Sequence, residues 1–388
     1  MLRSLYSGIS GLRSHQTMLD VTGNNIANVN TTAFKASATQ FQDTLSQMTQ
    51  AAGGPQAEIG GTNPAQVGLG VQVAGISTNF AQGSAQSTGR ATDIMISGDG
   101  FFVTQLGGET LYTRAGAFDF DPQGRLVSPD GAIVQGWNAV NGAVAEGGAV
   151  GNITLPLQSV IPAVATTAAT VGGNLPSDAA EGTALVRDVV IFDASGAAST
   201  LTMTFTNTGP DAWDVADAAG TVGTLTFTNG VLDADNGELT IAGVPVDMTS
   251  VTGFAGLTTV AVISQDGSEA GMLDSFTLGN DGTLVGLFSN GGQQAIGRIA
   301  LAKFVNPGGL EKAGSSAYRS TFNSGLADLG APGHGGLGSL TSGALEMSNV
   351  DLSQEFTNLI VAQRGFQANA RIITTSDEVL QELTNLKR

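Results

Sequence analysis

The 388-residue chain contains no cysteine. That excludes disulfides, thiolate metal sites, cysteine nucleophiles and iron–sulfur clusters. Histidine is nearly as scarce, present only as His15 and His334, so a His-rich zinc site and most triad chemistry lack their usual ingredients. Neither a G-x-S-x-G elbow nor an H-E-x-x-H pattern occurs, which leaves serine-hydrolase and zincin readings without an anchor. No apolar run approaches the ~18 consecutive residues that span a bilayer, so no membrane insertion is expected. Basic residues at the start of the chain are followed by Ser, Gly, His and Gln before any long apolar run forms. No cleaved Sec-type signal peptide is therefore expected, and export would need another route.

Charge is sparse as well, at 12% of residues, yet 33 acidic against 15 basic side chains leave a net charge of −18. A nucleic-acid partner needs a basic face and is not expected. The imbalance is localised. Residues 1–50 and 351–388 together are neutral, whereas 146–281 holds 16 acidic residues against a single base, Arg187. At ~150 residues per domain the length suggests two or three domains with real cores. The acidic stretch reads as a solvated antiparallel β domain. Strand-like runs such as 184–192 and 201–205 are separated by the turn signals Asn229-Gly230 and Asn236-Gly237.

The ends carry helical periodicity. Leu352, Phe356, Leu359, Phe366, Ile373, Leu380 and Leu383 recur in steps of three and four through a segment without proline, predicting one long helix from about 352. Asp351 is its expected N-cap, with Gln354 completing a capping box. Leu5, Ile9, Leu12, Leu19 and Ile26 give the N-terminus a weaker stripe, interrupted by Gly8, Gly11 and Gly23, each lowering helicity by ~1 kcal/mol. Two helices paired side by side cover one seam each. The expectation is a terminal coiled coil completed by neighbouring subunits. The fold class is thus mixed, with long N- and C-terminal helices forming a coiled coil, and with mainly β middle and outer domains of antiparallel barrel or sandwich type.

The segment Gly23-Asn24-Asn25-Ile26-Ala27-Asn28-Val29-Asn30-Thr31-Thr32-Ala33-Phe34-Lys35 resembles the N-terminal signature of the axial proteins of the bacterial flagellum, the rod and hook subunits. The family pattern carries Gly where this chain has Ala33, so a different backbone angle is expected there. Residues 114–118 through 124–127, 280–291 and 299–310 are similar to the family's middle-domain motifs. The ending, through Leu345-Glu346-Met347-Ser348-Asn349-Val350-Asp351-Leu352, Ala362–Asn369 and Leu383–Arg388, is similar to hook proteins in particular. Residues 146–281 carry no such resemblance.

The resemblance implies a non-enzymatic, cofactor-free subunit of a flexible tubular homopolymer that passes torque from rod to filament. It implies an inner core of 1–33 with 350–388, a connecting linker at 34–72, a β-rich middle domain of 73–145 with 283–349, and an inserted outer domain at 146–282. Assembly contacts are expected from Leu5, Ile9, Leu12, Leu19, Asn24, Asn25, Ile26, Asn28 and Phe34 at the N-terminal end and from the apolar stripe of the C-terminal helix. The implied partners are further copies of the chain, the distal rod, the hook cap protein, the hook–filament junction protein and the flagellar export apparatus. The implied location is the extracellular hook, reached by the flagellar type III route.

Two alternatives are a distal rod-type subunit and a calcium-binding secreted β-rich adhesin. The second rests on Asp119, Asp121, Gln123, Gly124 and Asp130, which imitate a calcium-loop spacing. Prolines within the loop and strand-like flanks favour a β-turn instead. Acid pairs such as Asp211 with Asp214, and Asp233 with Asp235, are expected from crowding alone. Gly68, Gly70 and Gly75 have the wrong spacing for a dinucleotide loop.

Overall fold

A computed structural model describes residues 2–55, 60–140, 142–145, 147–156, 160–233 and 237–385. Glu146, Asp235, Asn236 and Leu386–Arg388, singled out above, lie outside the described residues. The chain divides into two compact units. Unit 1 comprises Met1–Leu155, Thr277–Val285 and Ala295–Arg388; unit 2 comprises Pro156–Phe276 and Gly286–Gln294.

Unit 1 contains both long helices, α1 (Leu2–Ala27) and α2 (Leu352–Asn385). Asp351 starts α2 as expected, its Oδ1 accepting from the Ser353 and Gln354 amides at 2.8 and 3.2 Å. The reciprocal half of a capping box is absent, because Gln354 Nε2 turns along the helix to Asn358 Oδ1 at 3.1 Å. At the other end, α1 runs into an Asn/Thr turn. Asn28 Nδ2 donates back to Asn24 O at 2.9 Å, and Thr31 Oγ1 donates to Asn28 Oδ1 at 3.0 Å.

Within 34–72, the segment expected to connect the helical core to the middle domain, the described residues include paired strands. Ser37–Asp43 pairs antiparallel with Val71–Thr78, and Ser46–Gln50 with Ala65–Gly68. These strands are rich in Gln, Ser and Thr, and all five residues of Ser46–Gln50 are exposed. Strands without a buried face lack the apolar alternation by which sequence reveals them. The first of these pairs lies along α1, where Ser10 Oγ accepts from the Val71 amide at 3.2 Å and His15 meets the Phe41 ring at 5.9 Å.

The middle of unit 1 is a β sheet woven from both halves of the sequence. Phe101–Leu106 pairs with Glu109–Thr113, which continues to Ala317–Arg319, while Leu301–Lys303 pairs with Phe101 and Phe102 on the other edge. Its core joins Phe101, Val103, Tyr112, Ala302, Phe304 and Tyr318. Their rings meet edge to face, as between Tyr112 and Phe304 with centroids 4.8 Å apart. Residues 151–152 pair with Gln135 and Gly136 inside this unit, so its packing extends past 146. Where acidity begins and where packing changes are separate properties.

Unit 2 is built on a nine-stranded sheet. Its core is Trp213 with Met203, Phe205, Val215, Leu225, Ile241 and Val246, all below 1% exposure. Strands Ala184–Phe192 and Ala198–Gly209 form a long hairpin, and Asn229-Gly230 turns with φ of 55° and 79° as a primed turn requires. The sheet is not purely antiparallel. Ala169–Asn174 runs parallel to Val244–Thr252, a pairing distant in sequence that no local turn signal encodes.

The acids of unit 2 are more than a solvated surface. Asp266 accepts from the Thr167 and Ala168 amides at 2.8 and 2.9 Å, and Asp193 from those of Ser195 and Ala197 at 2.8 and 2.9 Å. Asp233 takes the hydroxyls of Thr226 and Thr228, at 2.7 and 2.8 Å. These bonds favour the ionised form. They lower the Asp233 carboxyl and, with the Ser195 hydroxyl foremost, the Asp193 carboxyl below the usual range, and bring Asp266 to about 2, with the Thr167 hydroxyl its foremost cause.

Candidate assembly interface

The two helices run antiparallel in one unbroken register. Gly8 faces Ile372 and Ile373, Gly11 faces Asn369, His15 faces Gly365, and Asn25 reaches Glu355. Gly11 and Gly365 are the points of closest approach. A Cβ on Gly11 would stand 2.7 Å from Asn369 Nδ2, and one on Gly365 2.5 Å from the His15 ring. Gly23 has nothing within 4 Å. Gly11 and Gly365 therefore leave room for the Asn369 amide and the His15 ring between the helices, which offsets their low helix propensity, whereas a Cβ on Gly8 would make ordinary contacts at 3.5–3.6 Å.

Of the apolar residues expected to form contacts, Leu5, Ile9, Leu12, Leu19, Ile26, Phe34, Leu359 and Ile373 are half-buried within the subunit. Leu352, Phe356, Phe366, Leu380 and Leu383 are exposed. Asn24 is exposed, Asn28 is half-buried in the turn, and Asn25 is buried at 1% exposure. The Asn25 side chain is occupied inside the subunit. Its Nδ2 donates to Ser37 O and Glu355 Oε1 at 2.8 and 3.1 Å, and its Oδ1 accepts from the Ser37 amide at 3.0 Å.

Below the helices, a buried ionic cluster ties the signature turn to the hook-like ending. Lys35 and Glu346 are paired with both side chains at 0% exposure, and Arg114 approaches Glu346 at 3.5 Å. Lys35 Nζ also donates to Ala81 O at 2.8 Å. Arg114 donates to Gly100 O and Gly98 O at 2.9 and 2.6 Å, and the Gly83 amide reaches Glu346 Oε1 at 2.8 Å. Burial pushes the Lys35 ammonium below its ordinary value, with Glu346 acting against that shift. Asn349 adds a second tie. Its Oδ1 accepts from the Ala36 amide at 2.8 Å and its Nδ2 donates to Asn79 O and Ala81 O at 2.8 and 3.0 Å. Sequence reading did not single out Glu346, Arg114 or Asn349 individually. Charged and amide side chains are ordinarily exposed, so only their presence in motifs at opposite ends of the chain hinted at pairing.

Ala33 sits inside this junction at 1% exposure, with φ of 56° and its amide donating to Glu346 O at 2.8 Å. The chain holds Ala in the left-handed region that favours glycine.

The segment from Asp119 to Asp130 is a hairpin turn. Asp119–Phe120 pairs with Leu126–Val127, and Gly124 has φ of 75°. Asp121 accepts from the Gln123 and Arg125 amides at 3.0 and 2.8 Å and pairs with the Arg125 guanidinium at 2.6 Å. Asp119 pairs with Arg90, and Asp130 bonds Ser128. The carboxylates point to separate partners. Among the described residues, no group of three or more His, Asp or Glu is placed to hold a metal ion.

Three family descriptions match the chain: flagella basal body rod protein at 5–35, flagellar hook protein FlgE/F/G D1 domain at 95–173, and flagellar basal body rod FlgEFG protein C-terminal at 341–386. The chain is 40% identical to flagellar hook protein FlgE of Borreliella burgdorferi and 38% identical to that of Treponema pallidum, each match covering 100% of both chains. It is 36% identical to flagellar basal-body rod protein FlgG of Bacillus subtilis, again over 100% of both. The N-terminal and C-terminal matches fall on α1 with its turn and on α2 with the Glu346 strand, the two segments joined by the buried cluster. The chain belongs to the FlgE family of flagellar hook proteins and is a structural subunit of the bacterial flagellar hook.

Proposed function

We propose that the chain is the repeating unit of a flexible tube acting as a universal joint, with its terminal helices joined to those of neighbouring copies as a coiled coil around the channel. The observation that carries this reading is α2. Of its 34 residues, Glu355 and Ala362 are the buried ones. Leu352, Phe356, Ile360, Val361, Phe366, Ile372, Val379, Leu380 and Leu383 each expose more than a third of their surface. A long helix with apolar side chains on several faces gains ~1.5–3 kcal/mol for each one covered. Its own partner covers one seam. Helices of adjacent copies supply the remaining cover.

In this reading residues 1–33 and 350–388 form the inner core, 34–72 connects it to a wall of 73–145 with 283–349, and 146–282 faces outward. An acidic exterior limits adhesion between outer domains that must slide as the tube bends. The wider partners are the distal rod, the hook cap, the hook–filament junction protein and the export apparatus, and the location is outside the cell. Helices with little cover in the monomer and a chain without disulfides suit passage in unfolded form through the type III route.

Deleting 1–28 or 352–388 is expected to abolish tubes in electron micrographs while leaving a soluble, folded middle. Normal tubes from either truncated chain would defeat the proposal.

A further inference from the structure

Three large apolar side chains project from two adjoining loops of unit 1. Val305 is 96% exposed, Leu326 92%, and Phe322 is exposed along its whole length. The loops are firmly held. Asn306 Nδ2 donates to Asn323 O at 2.9 Å, Thr321 Oγ1 donates to Gly309 O at 2.6 Å, and the buried Ser324 accepts at Oγ from the Thr321 amide at 2.9 Å. Gly309 lies so close that a Cβ there would stand 2.7 Å from Asn323 C and Ser324 N. Folding thus fixes three apolar groups in water, against the direction of the hydrophobic effect. Residues 305–310 and 320–327 contain no charged side chain.

The same unit contains a groove of about 540 Å³ beside the signature turn. Phe34, Leu111, Ala115, Ala117, Ala132 and Tyr318 give it an apolar lining, with Lys312 and Asp130 its charged members. One surface is convex and uncharged; the other is concave and nearly so.

We propose that the knob of Val305, Phe322 and Leu326 on one subunit seats in the Phe34–Tyr318 groove of a neighbouring copy. This rests on the reading of the chain as a helical polymer. Such a polymer requires a heterologous contact between two different patches, so that every added subunit presents a fresh knob and a fresh groove. Copies carrying a net charge of −18 repel one another, and uncharged patches are where approach is least opposed. The area agrees with a supporting role. A buried Phe contributes roughly 200 Å², and Val305 and Leu326 are smaller side chains that each add less. Together they fall below the ~1,200 Å² of a free-standing interface, so the contact works alongside the helices.

The absence of native cysteine permits a direct test. Phe322→Cys and Ala117→Cys chains are assembled singly and as an equal mixture, then oxidised with copper phenanthroline. A disulfide forms only between Cα atoms within about 7 Å. A covalent dimer in the mixture and in neither single assembly is the expected result. No dimer in the mixture, or dimers from Phe322→Cys alone, would overturn the proposal. As a second measurement, Phe322→Asp is expected to reduce polymer mass at least tenfold while Trp137 fluorescence and circular dichroism of the monomer stay unchanged. Unimpaired assembly of Phe322→Asp would reject the knob and leave the polymer reading standing. Failure of the unaltered chain to form tubes would reject the polymer reading itself.

Discussion

Gly365 of α2 lies against the imidazole of His15 in α1, so close that a Cβ on the glycine would meet Cε1 and Nε2 at 2.5 Å. The contact fixes both the distance and the register of the helix pair. A glycine inside a helix costs about 1 kcal/mol in propensity, and here the cost is offset by close packing. Gly365→Ala is therefore expected to destabilise the helix pair by about 2 kcal/mol through overpacking. Gly23→Ala, with nothing within 4 Å of the new methyl, should stabilise α1 by about 0.5–1 kcal/mol. Thermal melts followed by far-ultraviolet circular dichroism separate the two. Equal effects would remove the packing role of Gly365.

Glu346 is the shared anion of two buried cations, Lys35 and Arg114. Glu346→Gln keeps the shape and removes the charge, leaving both cations uncompensated. The expected loss is about 3–5 kcal/mol, read in urea unfolding by Trp137 fluorescence in a Trp213→Phe background. A loss below about 1 kcal/mol would mean that the backbone carbonyls around Lys35 and Arg114 suffice.

Ala33 holds φ of 56° at 1% exposure. Ala33→Gly should relieve about 1 kcal/mol of backbone strain, roughly balancing the lost methyl burial, for a net change near zero or slightly stabilising. Ala362, also buried but helical, gives the contrast. Ala362→Gly should cost at least about 1 kcal/mol. Similar losses at both positions in urea titration would exclude the strain at Ala33.

Asp266 ionises at about 2 in the folded protein against 3.8 ordinarily. A carboxyl depressed on folding stabilises above its ordinary value, and that contribution fades as pH falls from about 4 to 2. As an exposed capping group screened by solvent it is worth about 1 kcal/mol. Asp266→Ala should lower the stability of unit 2, read by Trp213 emission in a Trp137→Phe background, by that amount at pH 7 and by progressively less as pH falls toward 2. A pH-independent deficit would trace the effect to shape instead of charge.

Leu359→Asp or Phe366→Asp places a carboxylate on the apolar face of α2, where assembly would bury it unpaired. Polymer formation should be lost, with the melting of the β domains unchanged. Equal loss of both would identify α2 as an ordinary intramolecular core helix.

Much of this architecture is written in local patterns. The limits of α2, the cap at Asp351, the 184–192 strand and the Asn229-Gly230 turn all follow from periodicity and turn chemistry within a few residues. What escaped local reading depends on distant partners. Gly11 and Gly365 look like interruptions of an apolar stripe until the opposite helix is in place. Ser46–Gln50 and Ala65–Gly68 are exposed along their whole length, so their sequence resembles a linker. The parallel pairing of 169–174 with 244–252 joins segments that no turn connects. Lys35 and Glu346 are ordinary surface types whose burial is decided by three hundred residues of intervening chain.

The strands that lead into and out of unit 2 are themselves paired, Val160 opposite Met272 and Ile161 opposite Gly271. Gly271–Leu278 also pairs with Thr283–Phe288, so the ends of the intervening segment are held together within a larger sheet, and a change of length between them leaves those ends where they were. Alignments of this 388-residue chain with its hook relatives extend to 443 and 463 positions while covering both partners completely, so insertions or deletions separate these hook proteins. Paired ends of this kind let the segment between them vary in length and sequence without moving the strands that hold it.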